Sequence, residues 1–276
     1  MTRSFSHSIE DYPEGIVLPV DKPYRWTSAD VIRKIKFAAI RHFGKKNLKV
    51  GHAGTLDPLA TGILLVCIGP ATRRAEELQR SPKEYVAGVS FGATTPSYDL
   101  EKEIDRFCPL EGVSEAALRA VLPGFIGEQD QVAPLFSAKS VDGVRAYETA
   151  RRLLKEARRE GRAFDPGDVL QSSRISIYDL ELLSWHDAPV QDFRDDGQGR
   201  IRVASVAGLQ LPTAMIRVAC SKGTYIRALA RDLGEALGSG AFLSSLRRTK
   251  NGGFTLEDAV SLEEVLSAFS ARQEQP

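Results

Sequence analysis

The chain has 276 residues, 42% of them hydrophobic and 26% charged, with 37 Lys and Arg against 36 Asp and Glu. That is an ordinary soluble composition with enough apolar content for a core, and its near-zero net charge means that nucleic-acid binding would need basic residues segregated onto one face. No apolar run reaches the ~18 residues of a membrane span, Met1 to Asp11 lacks a signal-peptide core, and Cys67, Cys108 and Cys220 read as reduced thiols, so a cytoplasmic location is expected and a membrane protein or disulfide scaffold is not.

Gly15 to Val20 reads as a strand ended by Asp21-Lys22-Pro23. Thr27 or Ser28 caps a helix running to about Phe43, with Val31, Ile32, Ile35 and Ile40 at roughly helical spacing. Next comes Gly51-His52-Ala53-Gly54-Thr55-Leu56-Asp57-Pro58-Leu59-Ala60-Thr61-Gly62, with three glycines in twelve positions. Such a stretch needs positive φ or close approach by another group. Pro58 pushes Asp57 out of the helical region, so its carboxylate sits on a stiff loop feeding the buried-strand pattern Ile63 to Ile68. Asp57, with His52 five residues earlier, reads either as a reaction centre or as an Asx-type turn residue.

Ala71 to Arg80 reads as helical, and Tyr85, Ala87, Val89 and Phe91 alternate as a half-buried strand does. Ser114 caps a short helix ending near Pro123-Gly124, and Asp142-Gly143 signals a hairpin. Tyr147, Ala150, Leu153, Leu154 and Ala157 put an apolar stripe on a basic helix closed by Gly161. Ile175 to Leu183 reads as a strand, Gln191 to Gly199 as an exposed loop, and Arg200 to Val206 and Met215 to Cys220 as strands. Thr224 to Leu237 is the clearest helix, with Ile226, Leu229, Ala230, Leu233 and Leu237 on one face. A strand over Leu243 to Thr249 and a helix over Leu262 to Phe269, boxed by Ser261 and Glu264, complete the chain. Strands and helices mix without regular alternation, which favours an α+β fold.

Basic clusters (Lys45-Lys46-Asn47-Leu48-Lys49, Arg73-Arg74, Arg151-Arg152, Arg158-Arg159, Arg247-Arg248) and acidic ones (Asp99 to Asp105, Glu257 to Glu264) read as solvated faces. Arg227 falls in the first turn of its helix, where a cation opposes the dipole and wants a nearby anion, although a surface Arg reaching solvent fits as well. Tyr85 on its own strand pattern reads as a core tyrosine. No phosphate loop ending in Lys-Ser/Thr, no His-Glu-x-x-His and no Cys-x-x-Cys is present, so no metal or redox cofactor is expected.

The loop Gly51 to Gly62 resembles the signature loop of the TruB family, bacterial enzymes that make pseudouridine in the T-loop of tRNA (position 55). Asp21-Lys22-Pro23, Lys83-Glu84-Tyr85, Ser137-Ala138-Lys139, Cys220-Ser221-Lys222-Gly223-Thr224-Tyr225-Ile226-Arg227 and Leu246-Arg247-Arg248 match further family segments in the same order. The resemblance implies the pseudouridine synthase fold, a mixed and largely antiparallel central sheet flanked by helices with an RNA-binding cleft. It implies a catalytic domain over residues 1–250, then a short helical tail over 251–276 in place of a full C-terminal RNA-binding domain.

The resemblance also implies roles. Asp57 is the catalytic carboxylate and Arg227 its counter-ion. Tyr85 stacks on a flipped uracil, His52 enters the space the base vacates, and Tyr225 and Leu246 line the pocket. Lys22, Thr61 and Lys139 match family segments too: Lys22 and Thr61 read as loop supports and Lys139 as a phosphate contact, while the basic residues Lys45, Lys46, Lys49, Arg73 and Arg248 could follow the RNA backbone. Isomerisation needs one carboxylate, acting by covalent attack or by removing a sugar proton. The expected partner is the tRNA T-arm, and the expected state a monomer. A tRNA-binding folding factor with dispensable chemistry and a base-excising glycosylase are the competing readings. Family members usually carry Gly where this chain has Arg25, which is strained if the turn needs positive φ.

Overall fold

The computed structural model describes residues 5–134, 140–141, 144–145, 159, 172–190, 195 and 197–270. In chain order these form β1 (Ile16–Lys22), α1 (Ser28–Phe43), β2 (Val50–Ala53), β3 (Ala60–Ile68), a 3-10 turn Gly69–Arg74 leading into α2 (Ala75–Arg80), and β4 (Lys83–Phe91). There follow β5 (Ala93–Thr94), β6 (Arg106–Phe107), α3 (Glu115–Val121), β7 (Gly127–Val132), β8 (Ser140–Val141), β9 (Val144–Arg145), β10 (Ser172–His186) and β11 (Thr213–Cys220). The last elements are α4 (Ile226–Ala236), β12 (Ala241–Asn251), β13 (Phe254–Thr255), β14 (Val260–Ser261) and α5 (Leu262–Ser270). The fold is α+β, as the mixed pattern of elements predicts. The chain divides into two compact units, one of Met1–Tyr85, Asp192–Arg202 and Leu246–Pro276, the other of Val86–Gln191 and Val203–Ser245.

The first unit is built on β3. Every residue of this strand is buried, because apolar side chains leave both of its faces. Strands run β14-β1-β3-β12, with β2 also on β3 and β13 on β12. β1 pairs antiparallel from Ile16↔Ile68 to Lys22↔Gly62. β12 pairs parallel, Leu246 opposite Ala60. Ala53, Ile63, Leu65, Cys67 and Ala71 form a core cluster joined by Phe254 and Leu256. Each large aliphatic side chain buried this way contributes roughly 1.5–3 kcal/mol.

α1 starts at a capping box in which the Thr27 hydroxyl accepts from the Asp30 amide while the Asp30 carboxylate accepts from the Thr27 amide. Two more orphan amides are thereby satisfied. α1 ends at Gly44 in the left-handed region, φ 63°. α5 packs on α1, with Phe43 and Phe269 at 5.8 Å and His42 Nδ1 3.1 Å from the Phe269 carbonyl. Ser261 and Glu264 make the expected capping box.

In the second unit the later part of β4, then β11, β10 and β7 lie side by side. β10 pairs antiparallel with both β11 and β7. α4 buries Ile226, Arg227, Leu229, Ala230 and Leu233. β8 and β9 pair as Val141↔Val144, flanking the expected hairpin. Its turn, Asp142-Gly143, and the expected basic helix Tyr147 to Ala157 lie outside the described residues.

Some sequence expectations fail. Arg200 to Val206 is not a strand. Its polar groups are met one at a time: the Ile201 carbonyl accepts from Arg25 at 2.7 Å, and the Ala204 amide donates to Leu100 at 2.8 Å. Nor does the acidic run begin on a solvated face, since Asp99 is 4% exposed.

Candidate active site

The signature loop has little regular structure, so its polar backbone groups must find partners elsewhere. Side chains of the first unit supply them. Arg248, 1% exposed, donates from Nε to the Ile63 carbonyl at 2.7 Å, from Nη2 to Gly54 at 3.1 Å and from Nη1 to Thr55 at 3.4 Å. Lys22, fully buried, donates to the carbonyls of Trp26 at 2.6 Å, Pro23 at 2.9 Å and Pro58 at 3.0 Å. Ser28 Oγ donates to the Leu56 carbonyl and accepts from the Leu56 amide, at 3.0 and 2.9 Å. Asp21 accepts from the Gly62 amide at 3.0 Å and from Arg247 at 2.7 Å.

These bonds fix the backbone on both sides of Asp57, whose own carbonyl accepts from Ala60 at 3.1 Å. Gly54 and Gly62 have φ of 89° and 93°. At Gly62 a Cβ would also stand 2.8 Å from the Arg248 amide nitrogen, so only glycine lets β12 approach. Asp57 is half-buried on this braced turn.

His52 lies on β2 with its Nδ1 buried and, among the described residues, without a hydrogen-bond partner. Burial, and then the Arg248 charge, hold its pKa below the ordinary 6.5. Above pH 6.5 the imidazole is therefore mainly neutral. Tyr85 and Leu246 are 9% and 8% exposed, and Leu246 faces Ala60 across the β12–β3 pairing. Lys45, Lys46, Lys49 and Arg73 are exposed. Lys45 pairs with Glu10 at 2.8 Å, an arrangement that holds the Glu10 carboxyl down at about 2. Lys139 lies outside the described residues. Arg248 is a correction: its guanidinium is spent on the loop carbonyls of Gly54 and Thr55 and the β3 carbonyl of Ile63, so it braces the loop and leaves the set offered to an RNA backbone.

Tyr225 and Arg227 belong to the second unit. Tyr225 occupies the N-cap of α4 with no side-chain cap of its own. Gln131, 4% exposed, substitutes: its Oε1 accepts from the Tyr225 amide at 2.8 Å and its Nε2 donates to the Tyr225 carbonyl at 3.1 Å. Arg227 Nε lies 3.6 Å from Asp99 Oδ2, both side chains 5% exposed, and its Nη1 donates to the Ser97 carbonyl at 3.1 Å. Tyr98 between them has φ 58°, a conformation L residues rarely adopt. Sequence reading anticipated an anion near Arg227 but missed Asp99, Gln131 and the loop-bracing role of Arg248. Asp99 was hidden in an acidic run, and the pairs join positions about a hundred residues apart.

The family model for the TruB family pseudouridylate synthase N-terminal domain matches residues 41–226, and that for the tRNA pseudouridylate synthase B C-terminal domain matches residues 227–275. The chain is 46% identical over 254 residues to the tRNA pseudouridine synthase B of Phocaeicola vulgatus, covering 92% of each protein. With the protein of that name from Flavobacterium johnsoniae it shares 42% identity over 92% of this chain and 95% of the relative, and with that of Deinococcus radiodurans 38% over 91% and 79%. Among solved structures, a chain of a Cbf5-Nop10-Gar1 complex matches with TM-score 0.59 and 27% identity over 94% of this chain. A chain of the archaeal box H/ACA sRNP Nop10-Cbf5 complex matches with TM-score 0.58 and 25% identity over 95%. The present chain spans 56% of each. The matched residues, the identities and the shared fold place this chain in the TruB family of pseudouridylate synthases.

Proposed function

We propose that the protein is a tRNA pseudouridine synthase of the cytoplasm, acting as a monomer on the T-loop uridine, with Asp57 as the catalytic carboxylate and Arg227 serving the same reaction centre. Family membership supports the reaction. The observation that carries the residue assignment is the bracing of the Asp57 loop by Lys22, Ser28 and Arg248. Holding a reacting group in one geometry is what an isomerase with a single carboxylate requires. The reaction exchanges the N1–C1′ bond of uridine for a C5–C1′ bond, with nothing oxidised and nothing passed to water.

The base must leave its stack, at a cost of a few kcal/mol. On this reading Tyr85 stacks on the uracil, neutral His52 occupies the vacated space, Tyr225 and Leu246 line the pocket, and the exposed Lys45, Lys46, Lys49 and Arg73 meet the backbone phosphates. The test is incubation with a T-arm transcript followed by carbodiimide labelling of pseudouridine. Wild type should give label at unchanged RNA mass, and Asp57→Asn should give none while still binding RNA. Free base with an abasic site would point to a glycosylase. Binding without label in the wild type would point to a folding factor.

A further inference from the structure

Beside the N-terminal half of α1 is a hollow of about 420 Å³, lined by Arg25, Trp26, Asp30, Arg33, Lys34 and Phe37 together with Gln198 and Arg200. Asp30, Arg33, Lys34 and Phe37 fall at helical spacing and so share one face of α1. That face does not pack into the core: Phe37 is 65% exposed. Four of the eight lining residues are cations and one is an acid. The acid is already engaged, since Asp30 carries the Thr27 cap and binds Arg33 at 2.8 Å. Arg25 is held by Asp195 at 2.8 Å. Among the described residues no carboxylate lies within ion-pair distance of Lys34 or Arg200, and Lys34 sits 6.0 Å from the centre of the Trp26 ring.

A second observation is independent of charge. Trp26 is 9% exposed, and its indole N–H is buried with no hydrogen-bond partner in the described structure. Buried donors normally have one. The Trp26 side chain forms one wall of the hollow. The hollow is also tied to the reaction loop, because the Lys22 ammonium joins the Trp26 carbonyl to the Pro58 carbonyl.

We propose that this hollow binds one nucleotide of the RNA substrate other than the target uridine, its base against Trp26 and Phe37 and its phosphate between Lys34 and Arg200. This rests on the RNA-modifying reading above. Aromatic side chains stack on any base face, and paired cations neutralise the phosphate, so the site is tolerant of sequence. Asp30 stays ionised at the helix cap, and the paired Arg33 offsets its charge toward the phosphate.

The test uses the full chain and a T-arm hairpin transcript. The chain has two tryptophans, so a Trp185→Phe background leaves Trp26 as the sole indole emitter. Saturating RNA should change that emission. Lys34→Glu with Arg200→Glu should lower the log–log salt slope of binding by about 0.9, as loss of the one phosphate held between them requires. Phe37→Ala should weaken binding about tenfold, within the range for one lost stacking partner, with KM raised and kcat unchanged. Silent Trp26 emission at saturating RNA, or wild-type affinity and salt slope in these variants, would overturn the proposal. Pseudouridine labelling in the same samples separates the two readings: label formed with Trp26 silent defeats only the nucleotide site, and quenching without label defeats only the catalytic assignment.

Discussion

The Arg248 guanidinium donates to the Gly54 carbonyl at 3.1 Å, and with its bonds to Thr55 and Ile63 it ties β12 to both ends of the loop that carries Asp57. Arg248→Gln should lower stability on the order of 3 kcal/mol, because it strands buried carbonyls that only a guanidinium fork reaches together. Turnover should fall at least tenfold, since Asp57 loses its fixed geometry. The salt dependence of RNA binding should not change. A slope smaller by about 0.9 would mean that Arg248 meets a phosphate after all. Urea unfolding and salt titration of the variant read the two effects separately.

Asp99 is the structural partner of Arg227 within the second unit. Asp99→Asn keeps the shape and removes the charge beside a buried guanidinium. Breaking a buried ion pair from one side costs about 3–5 kcal/mol, so unfolding should shift strongly. If Arg227 serves the reaction, kcat should fall with it while KM for RNA holds. A variant with full stability and unchanged kcat would show that the 3.6 Å approach of the two groups carries nothing.

These two pairs show where sequence reading stops. Strands and helices were legible from local pattern: the β3 run, the α1 cap at Thr27 and the amphipathic α4 all lie where apolar period and capping residues place them. Asp57 and His52 were legible because they share one dense loop. The supports of that loop were not, since Arg248 looks like any exposed arginine until its three carbonyl partners are in view. Arg200 to Val206 failed for the same reason in reverse. Its alternation imitates a strand, but the Ile201 carbonyl and the Ala204 amide are anchored to separate distant partners, Arg25 and Leu100.

The buried imidazole of His52 gives stability a pH dependence. Its folded pKa lies below the ordinary 6.5, first through desolvation and then through Arg248. Between the folded value and 6.5 the unfolded chain binds the extra proton, so stability rises with pH across that window and is fully present above it. Lowering the pH from 7 toward 5 should therefore remove stability from the wild type, and His52→Asn should lose less over the same range. Urea midpoints measured every half unit would show the two curves converging as pH falls. Parallel curves would mean that the imidazole titrates as it does in the unfolded chain.

The turn after Lys22-Pro23 does use positive φ, and it does so with an arginine: Arg25 has φ 64°. A non-glycine residue there costs about 1–2 kcal/mol. The structure offsets this through the side chain, which donates to the Ile201 carbonyl at 2.7 Å and pairs with Asp195 at 2.8 Å. The fit depends on Gly199, which is buried, unlike the exposed loop that its polar neighbourhood predicts. A Cβ there would stand 2.9 Å from the Arg25 carbonyl oxygen and collide with the Arg25 Cβ. Arg25→Gly alone should be near neutral, relief of backbone strain balancing the lost ion pair and hydrogen bond. Gly199→Ala alone should destabilise by about 2 kcal/mol, the usual cost of overpacking. Together they should be milder than their sum by about 1 kcal/mol, because removing the Arg25 Cβ relieves the main clash. Strict additivity in a double-mutant cycle of unfolding free energies would show that the two positions accommodate one another by a route other than this contact.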